Sequence, residues 1–296
     1  MFKGIDVYNG NGTVNWPQVK AAGYDFTMIK SSEGYTLADA SMARNLAGAA
    51  KAGLHTGVYH WIHATTVTEA IREADFFLGL VRGCKMEYPV ALDIEQHTIL
   101  RLSKAALTDV VLAWCQRVQQ AGYYVVLYAN LNVLRNHLEW GRIKQFDIWL
   151  AQYNATMTKE FPVAIWQHSE TGRVPGVRNG TGPVDLDICY KDYPSIIRVG
   201  GYNNFPKPVQ PTFPTITGLT LDTQSRNMAP GDIYEILAYC KTIPTVKITG
   251  RDIVSVERIK SDPRGYKIVV RALKAGFAHI DVTIGNVTQT CNFNIK

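Results

Sequence analysis

The chain has 296 residues, 46% apolar, 19% charged and 10% aromatic, with a net charge of +6. This balance excludes intrinsic disorder and low-complexity or collagen-like sequence, and the length suggests two domains that each bury a core. No apolar run approaches the roughly 20 residues that span a bilayer, so a soluble protein with no membrane partner is expected.

From the N-terminus, short apolar β-branched runs alternate with helical patterns. Strands are predicted at 4–8, 26–32, 55–62, 89–95 and 125–130, with helices at 16–22, 38–52, 67–81 and 104–121 between them. Such alternation implies parallel strands joined by crossover helices. After a short helix near 131–139 the rhythm changes, and three further strands follow near 147–153, 163–169 and 184–190. The gap from Tyr153 to Val163 is shorter than the dozen or more residues a parallel crossover usually takes. Eight strands with about five helices predict an irregular eight-stranded (β/α) TIM-like barrel, small for its type and irregular in its last third, with antiparallel strands allowed there.

The segment 200–214 holds four prolines and no periodic pattern, which reads as a stiff linker. It separates a first domain, 1–199, from a second, 215–296. Seven short strands are predicted in the second, at 215–223, 232–239, 245–249, 254–260, 266–273, 277–284 and 287–295. Turn residues separate them, the pattern of an immunoglobulin-like β-sandwich. The charge is divided unevenly: 19 Lys/Arg against 18 Asp/Glu through Gly200, and 12 against 7 beyond it.

The chemistry concentrates in three strands. In Pro89-Val-Ala-Leu-Asp-Ile-Glu95, alternation puts Val90, Leu92 and Ile94 on one face and Ala91, Asp93 and Glu95 on the other. With the apolar face packed outward on helices, both acids point into the barrel near the strand's C-terminal end, where barrel active sites form. Two adjacent acids cannot both ionise cheaply, so one pKa should rise, which suits a general acid. An inward structural salt bridge is the competing reading. Asp6 and Tyr8 repeat the pattern against Ile5 and Val7, and Asp185 and Asp187 repeat it on the last strand. Burying several acids without Lys or Arg on those strands favours function over structure. Asp185 opens its strand, so it reaches the active end only if that strand runs antiparallel to the first.

Aromatic residues accompany these acids: Tyr59, Trp61, Tyr128, Trp149, Tyr153 and Trp166, with the amides Gln152 and Gln167. Carboxylates, aromatic platforms and amides together suit a carbohydrate, whose CH faces stack and whose hydroxyls hydrogen-bond.

An ordered series of motifs carries a resemblance over most of residues 4–190. It runs Gly-Ile-Asp6-Val, Asn15-Trp16, Phe26-Thr-Met-Ile-Lys30-Ser-Ser-Glu33-Gly34, Gly57-Val-Tyr59-His60-Trp61 and Leu92-Asp93-Ile-Glu95. Leu127-Tyr128, Trp149-Leu-Ala-Gln-Tyr153, Ile165-Trp166-Gln167-His-Ser169 and Gly182-Pro-Val-Asp185-Leu-Asp187 complete it. The chain resembles glycoside hydrolase family 25, the muramidases that cut peptidoglycan glycan strands. The resemblance implies hydrolysis of the β-1,4 bond between N-acetylmuramic acid and N-acetylglucosamine, with Glu95 as general acid. Asp6, Asp93 and Asp185 complete the carboxylate set. Asp93 would either stabilise positive charge or orient the substrate's N-acetyl group. The candidate substrate-binding residues are Tyr59, Tyr128, Trp166, Gln167, Glu33, Lys30 and Asp187. The family often carries Asn where Asp187 stands, and an Ala-Thr pair where Ser31-Ser32 stands.

Other chemistries find less support. His55, His60 and His63 cluster, but His60 and His63 would face opposite sides of a strand, so no metal is expected and no cofactor is implied. Five scattered cysteines without CxxC spacing predict neither a disulfide framework nor a structural metal, and suggest reduced thiols. MFKGIDVYNG has no signal-peptide pattern, so a phage-endolysin-like enzyme held in the host cytoplasm before its release to the wall is expected; secretion after signal removal is the alternative. The basic second domain lacks nucleic-acid-recognition signatures and would suit anionic wall polymers, or serve as a spacer. A non-catalytic phage surface protein that binds wall glycan is the rival to the enzyme.

Overall fold

A computed structural model describes residues 1–180, 182–207 and 218–296. The chain divides into two compact units, Met1–Pro208 and Val209–Lys296.

The first unit runs β1 (Phe2–Val7), α1 (Trp16–Ala21), β2 (Phe26–Glu33), β3 (Leu37–Ala38), α2 (Met42–Lys51), β4 (His55–Trp61), α3 (Val67–Val81) and β5 (Val90–Asp93). It continues with α4 (Lys104–Gln120), β6 (Val125–Asn130), a π-helical turn (Val133–His137), α5 (Trp140–Ile143), β7 (Asp147–Ala151), β8 (Val163–Gly172), β9 (Val184–Cys189) and α6 (Tyr193–Gly200). Caps set the long helices. Thr66 and Glu69 form a reciprocal capping box on α3, and Ser103 Oγ accepts the N–H of Ala106 on α4.

Eight strands close a barrel in the order β1-β9-β8-β7-β6-β5-β4-β2, with β2 pairing back to β1. All neighbouring pairs are parallel except those made by β9, which is antiparallel to both β8 and β1. The irregular final third therefore reduces to one reversed strand. β7 and β8 are parallel despite their short connection. Its 11 residues (152–162) can span roughly 36 Å extended, ample to return along a five-residue strand without a helix. Helix α6 and the two-residue β3 were not anticipated.

Two apolar layers follow from strand alternation. Ile5, Val7, Val58, Val90, Leu92, Ile94, Leu127, Ile148 and Leu150 face outward and pack with the helices. Inside, Phe26, Met28, Tyr88, Ala91, Val126 and Ile165 fill the barrel, together with Tyr193 and Ile197 from α6. Tyr88 stacks on Phe26 at 4.2 Å. Gly4 is the residue that admits this ring, since a Cβ there would sit 2.2 Å from Phe26 Cζ. The interior floor is thus apolar, and polar chemistry is left to the other end.

The segment read as a linker from residue 200 begins inside this unit. Asn203 is fully buried; its Nδ2 donates to the Met86 and Tyr88 carbonyls and its Oδ1 accepts the N–H of Tyr124. The remainder, 208–214, lies outside the described residues.

The second unit comprises β10 (Thr220–Leu221), β11 (Ser225–Met228), β12 (Ile233–Tyr239), β13 (Thr245–Thr249), β14 (Val254–Asp262), β15 (Gly265–Ala272), β16 (Gly276–Ile284) and β17 (Val287–Ile295). Two four-stranded sheets, β10-β12-β15-β14 and β11-β17-β16-β13, enclose one apolar core. With β10 and β11 as halves of a first strand, one sheet follows the order A-B-E-D and the other G-F-C, with the second half of the first strand added at its edge. β11 was not foreseen, and residues 215–217 of the first predicted strand lie outside the described residues. Among the described residues no helix is long and apolar enough to cross a membrane.

Candidate active site

A cleft of about 260 Å3 opens at the C-terminal ends of the parallel strands, and every barrel strand or its end contributes to it. Its walls are Asp6, Tyr8, Lys30, Tyr59, Trp61, Asp93, Glu95, Tyr128, Trp149, Gln167 and Asp185. Backbone register explains the convergence. Trp61, Asp93, Tyr128 and Trp149 stand side by side on β4 to β7. Asp6 is paired directly with Asp185 across β1 and β9, so the reversed strand delivers its first residues to the active end.

Eight of the eleven residues proposed from sequence meet here: Asp6, Asp93, Glu95, Asp185, Tyr59, Tyr128, Gln167 and Lys30. Glu95 lies two residues past the end of β5, so strand alternation alone does not position it; it stands at the exposed rim while Asp93 is 4% exposed. Asp187 does not line the cleft. It is buried beneath, where its Oδ1 accepts the indole N–H of Trp149 at 2.8 Å. Glu33 turns into the adjoining groove along β3, while its carboxylate pairs with the Lys30 ammonium. Trp166 is a correction. As Gln167's neighbour on β8 it faces the other way, its indole N–H donating to the Gln152 carbonyl and its ring lying against His168. Gln152 likewise orders the β7–β8 loop through the N–H of Thr158.

Tyr8, Trp61 and Trp149 also line the cleft. Alternation from Asp6 already placed Tyr8 inward, and Trp61 and Trp149 were among the aromatics expected around the acids; Lys30 Nζ lies 4.5 Å above the Trp61 ring. Tyr128 and Trp149 meet edge-on at 4.7 Å, which fixes both rings.

Hydrogen bonds orient the amide. The hydroxyls of Tyr128 and Tyr153 each donate to Gln167 Oε1 at 2.8 Å, which turns Nε2 toward Asp6 Oδ2, also at 2.8 Å. Charge is concentrated. Burial, then the charges of Asp187 and Asp185, push the Asp6 carboxyl well above the usual range. Asp93 is raised strongly by burial and by Glu95, against the pull of Lys30. Glu95 is raised by desolvation on its cleft side and by Asp185, again opposed by Lys30 and by His97. Asp185 is raised by burial, partly offset by a hydrogen bond with Asp6. One oxygen of Asp93 has no hydrogen-bond partner among the described residues.

Such a site favours the protonated form of a carboxyl, places negative charge beside it, and sets aromatic rings along the wall where a flat apolar face can stack. Among the described residues, no group of three or more His, Cys, Asp or Glu side chains is disposed to hold a metal ion.

Comparison with known proteins agrees with this geometry. The family described as glycosyl hydrolases family 25 matches residues 5–177. The autolytic lysozyme of Clostridium acetobutylicum is 30% identical over 200 residues, covering 67% of this chain and 58% of that protein. Lysozyme M1 of Streptomyces globisporus is 30% identical over 198 residues, covering 62% and 66%. The chain thus spans less than two thirds of either relative. Among solved structures, the CTP1L endolysin superposes with a TM-score of 0.59 at 27% identity, over 78% of this chain and 74% of that one. The bacterial lysozyme of Streptomyces coelicolor gives 0.56 at 26% identity, over 69% and 97%.

Proposed function

This chain belongs to glycosyl hydrolase family 25, and on that footing we propose that it is a peptidoglycan muramidase. It cleaves the β-1,4 bond between N-acetylmuramic acid and N-acetylglucosamine, with Glu95 as proton donor. The observation that carries this reading is the convergence of four carboxylates on one aromatic-walled cleft, with Lys30 the cation that lines it.

Hydrolysis at an acetal carbon needs a proton for the leaving oxygen and negative charge for the oxocarbenium-like transition state. Glu95 is open to the cleft, and desolvation and Asp185 raise its carboxyl above the ordinary range, which favours the protonated form a general acid needs. Asp93 lies deeper in the cleft wall, where its carboxyl would orient the sugar's 2-acetamido group or face developing positive charge. Tyr59 and Trp61 offer ring surface to the sugar, Trp149 packs behind Tyr59 and Tyr128, and Gln167 holds Asp6 in place. The relatives named as lysozymes support the same substrate.

Glu95→Gln separates this reading from a glycan-binding surface protein. The variant should still sediment with purified walls while clearing of a wall suspension falls by two or more orders of magnitude, the usual range for loss of a general acid. Clearing that survives the substitution would remove Glu95 from the role.

The second unit is proposed to hold the enzyme on anionic wall polymers. Its support is the charge it carries, 11 Lys/Arg against 7 Asp/Glu from residue 209 onward.

A further inference from the structure

Outside the cleft, a fully buried Ser–His–Glu chain lies between the barrel and helix α3. Ser32 Oγ is 2.9 Å from His60 Nδ1, and His60 Nε2 is 3.0 Å from Glu73 Oε2. The order resembles a hydrolytic triad, but Ser32 and His60 are 0% exposed and Glu73 2%, so no substrate reaches the hydroxyl. His60 is stacked on Trp114 at 5.5 Å and meets Phe77 edge-on. Burial holds its imidazole below the ordinary range, hence neutral at pH 7. The neutral ring then donates Nε2–H to Glu73 and accepts the Ser32 hydroxyl proton at Nδ1.

The other side of Ser32 gives this chain its purpose. Residues three apart on a regular strand face opposite ways, yet Lys30 and Glu33 of β2 form an ion pair on the cleft side. The register explains it. Lys30 is opposite Tyr59 and Ser32 is opposite His60, so Ser31 is an extra residue, a β-bulge that resets the alternation. The bulge is tied down on both sides: Ser31 Oγ donates to the Tyr59 carbonyl at 2.7 Å, and Asp39 N–H donates to the Ser31 carbonyl at 2.9 Å. Without it, Ser32 would face the cleft and Glu33 the helices.

We propose that Ser32, His60 and Glu73 are positioning residues: their buried hydrogen-bond chain locks the Ser31 bulge and so keeps Glu33 turned onto the Lys30 ammonium, tempering the charge that Lys30 presents to the cleft acids. Lys30 itself precedes the bulge, lies over Trp61 and lines the cleft with Asp93 and Glu95. The catalytic meaning of this rests on Glu95 as proton donor; the placement of Glu33 does not. The charged groups that act on Glu95 are Asp185, Lys30 and His97, and Asp93 senses Glu95, Lys30 and Glu33. Releasing Glu33 from Lys30 leaves that positive charge unneutralised, so Glu95 should titrate lower.

The test is a carboxyl 13C NMR titration of Glu95 in the full chain, which needs no turnover, run beside the pH profile of wall lysis. Ser32→Ala should lower the Glu95 midpoint by about 0.5 to 1 pH unit, roughly three- to tenfold in acid dissociation, in the same direction as Glu33→Gln and opposite to Lys30→Met. Ser32→Thr keeps the hydroxyl and should titrate like the wild type. If Ser32→Ala does not fold, Ser32→Cys, a weak donor of similar volume, should give an intermediate fall. A lower melting temperature with an unmoved Glu95 midpoint in the Ala or Cys variant would overturn the proposal, because a purely structural chain behaves that way. A shifted midpoint in a protein that lyses no walls would uphold the positioning and refute the muramidase reading separately.

Discussion

At Asp187 one carboxylate oxygen accepts the Trp149 indole N–H, and the other lies buried without a hydrogen-bond partner among the described residues. Burial and the nearby Asp185 push its pKa up to about 8. The sign for stability follows: the folded state holds this proton more tightly than the unfolded chain, whose carboxyl titrates near 4. Stability is therefore greatest below that value and falls by about 1.4 kcal/mol per pH unit as pH rises toward 8. Asp187→Asn keeps an acceptor for Trp149 and carries no charge. Urea unfolding should find the variant and wild type equally stable at pH 4 and the variant more stable by several kcal/mol at pH 8. An equal difference at both pH values would show that Asp187 is ionised throughout. Residue-level legibility divides along the same line. Asp6, Asp93 and Asp185 were readable because alternation fixes which way a strand residue points. The inward face of the reversed strand also showed Asp187, yet one register step along β9 separates lining the cleft from lying beneath it. Trp166 misled because an aromatic beside Gln167 is equally plausible on either face.

At the scale of elements, the end of the first unit was the least legible part. Gly-Gly-Tyr-Asn-Asn before a run of prolines has the composition of a linker, and no periodicity marks Asn203 as a buried residue. Its backbone φ of 52° is one that Asn tolerates, and its side chain closes carbonyls from the residues leading into β5. Asn203→Ala leaves those groups unsatisfied and strains a positive φ. It should cost the first unit about 2–4 kcal/mol in chemical denaturation, with unfolding midpoints unchanged for the second unit. A loss within 0.5 kcal/mol would mean that this segment is as dispensable as its composition suggests. By contrast, the reversal of β9 was legible, since only an antiparallel final strand brings Asp185 to the same end as Asp6. The parallel β7–β8 pair was not, because loop length sets what a crossover can reach but not which way it returns.

Across the whole molecule, the net charge of +6 resolves into a nearly neutral first part with its acids turned inward and a basic remainder. If that basic charge attracts wall polymers, binding of the Glu95→Gln chain to purified walls should weaken steadily between low and physiological salt, as screened long-range attraction requires. Salt-independent binding would leave the second unit as a spacer. Which bond is cut is read from digestion of purified peptidoglycan, borohydride reduction of the new ends, and mass spectrometry of the products. The expected result is reduced muramic acid, formed by the wild type and absent with Glu95→Gln. Reduced glucosamine ends, or no new ends at all, would contradict it.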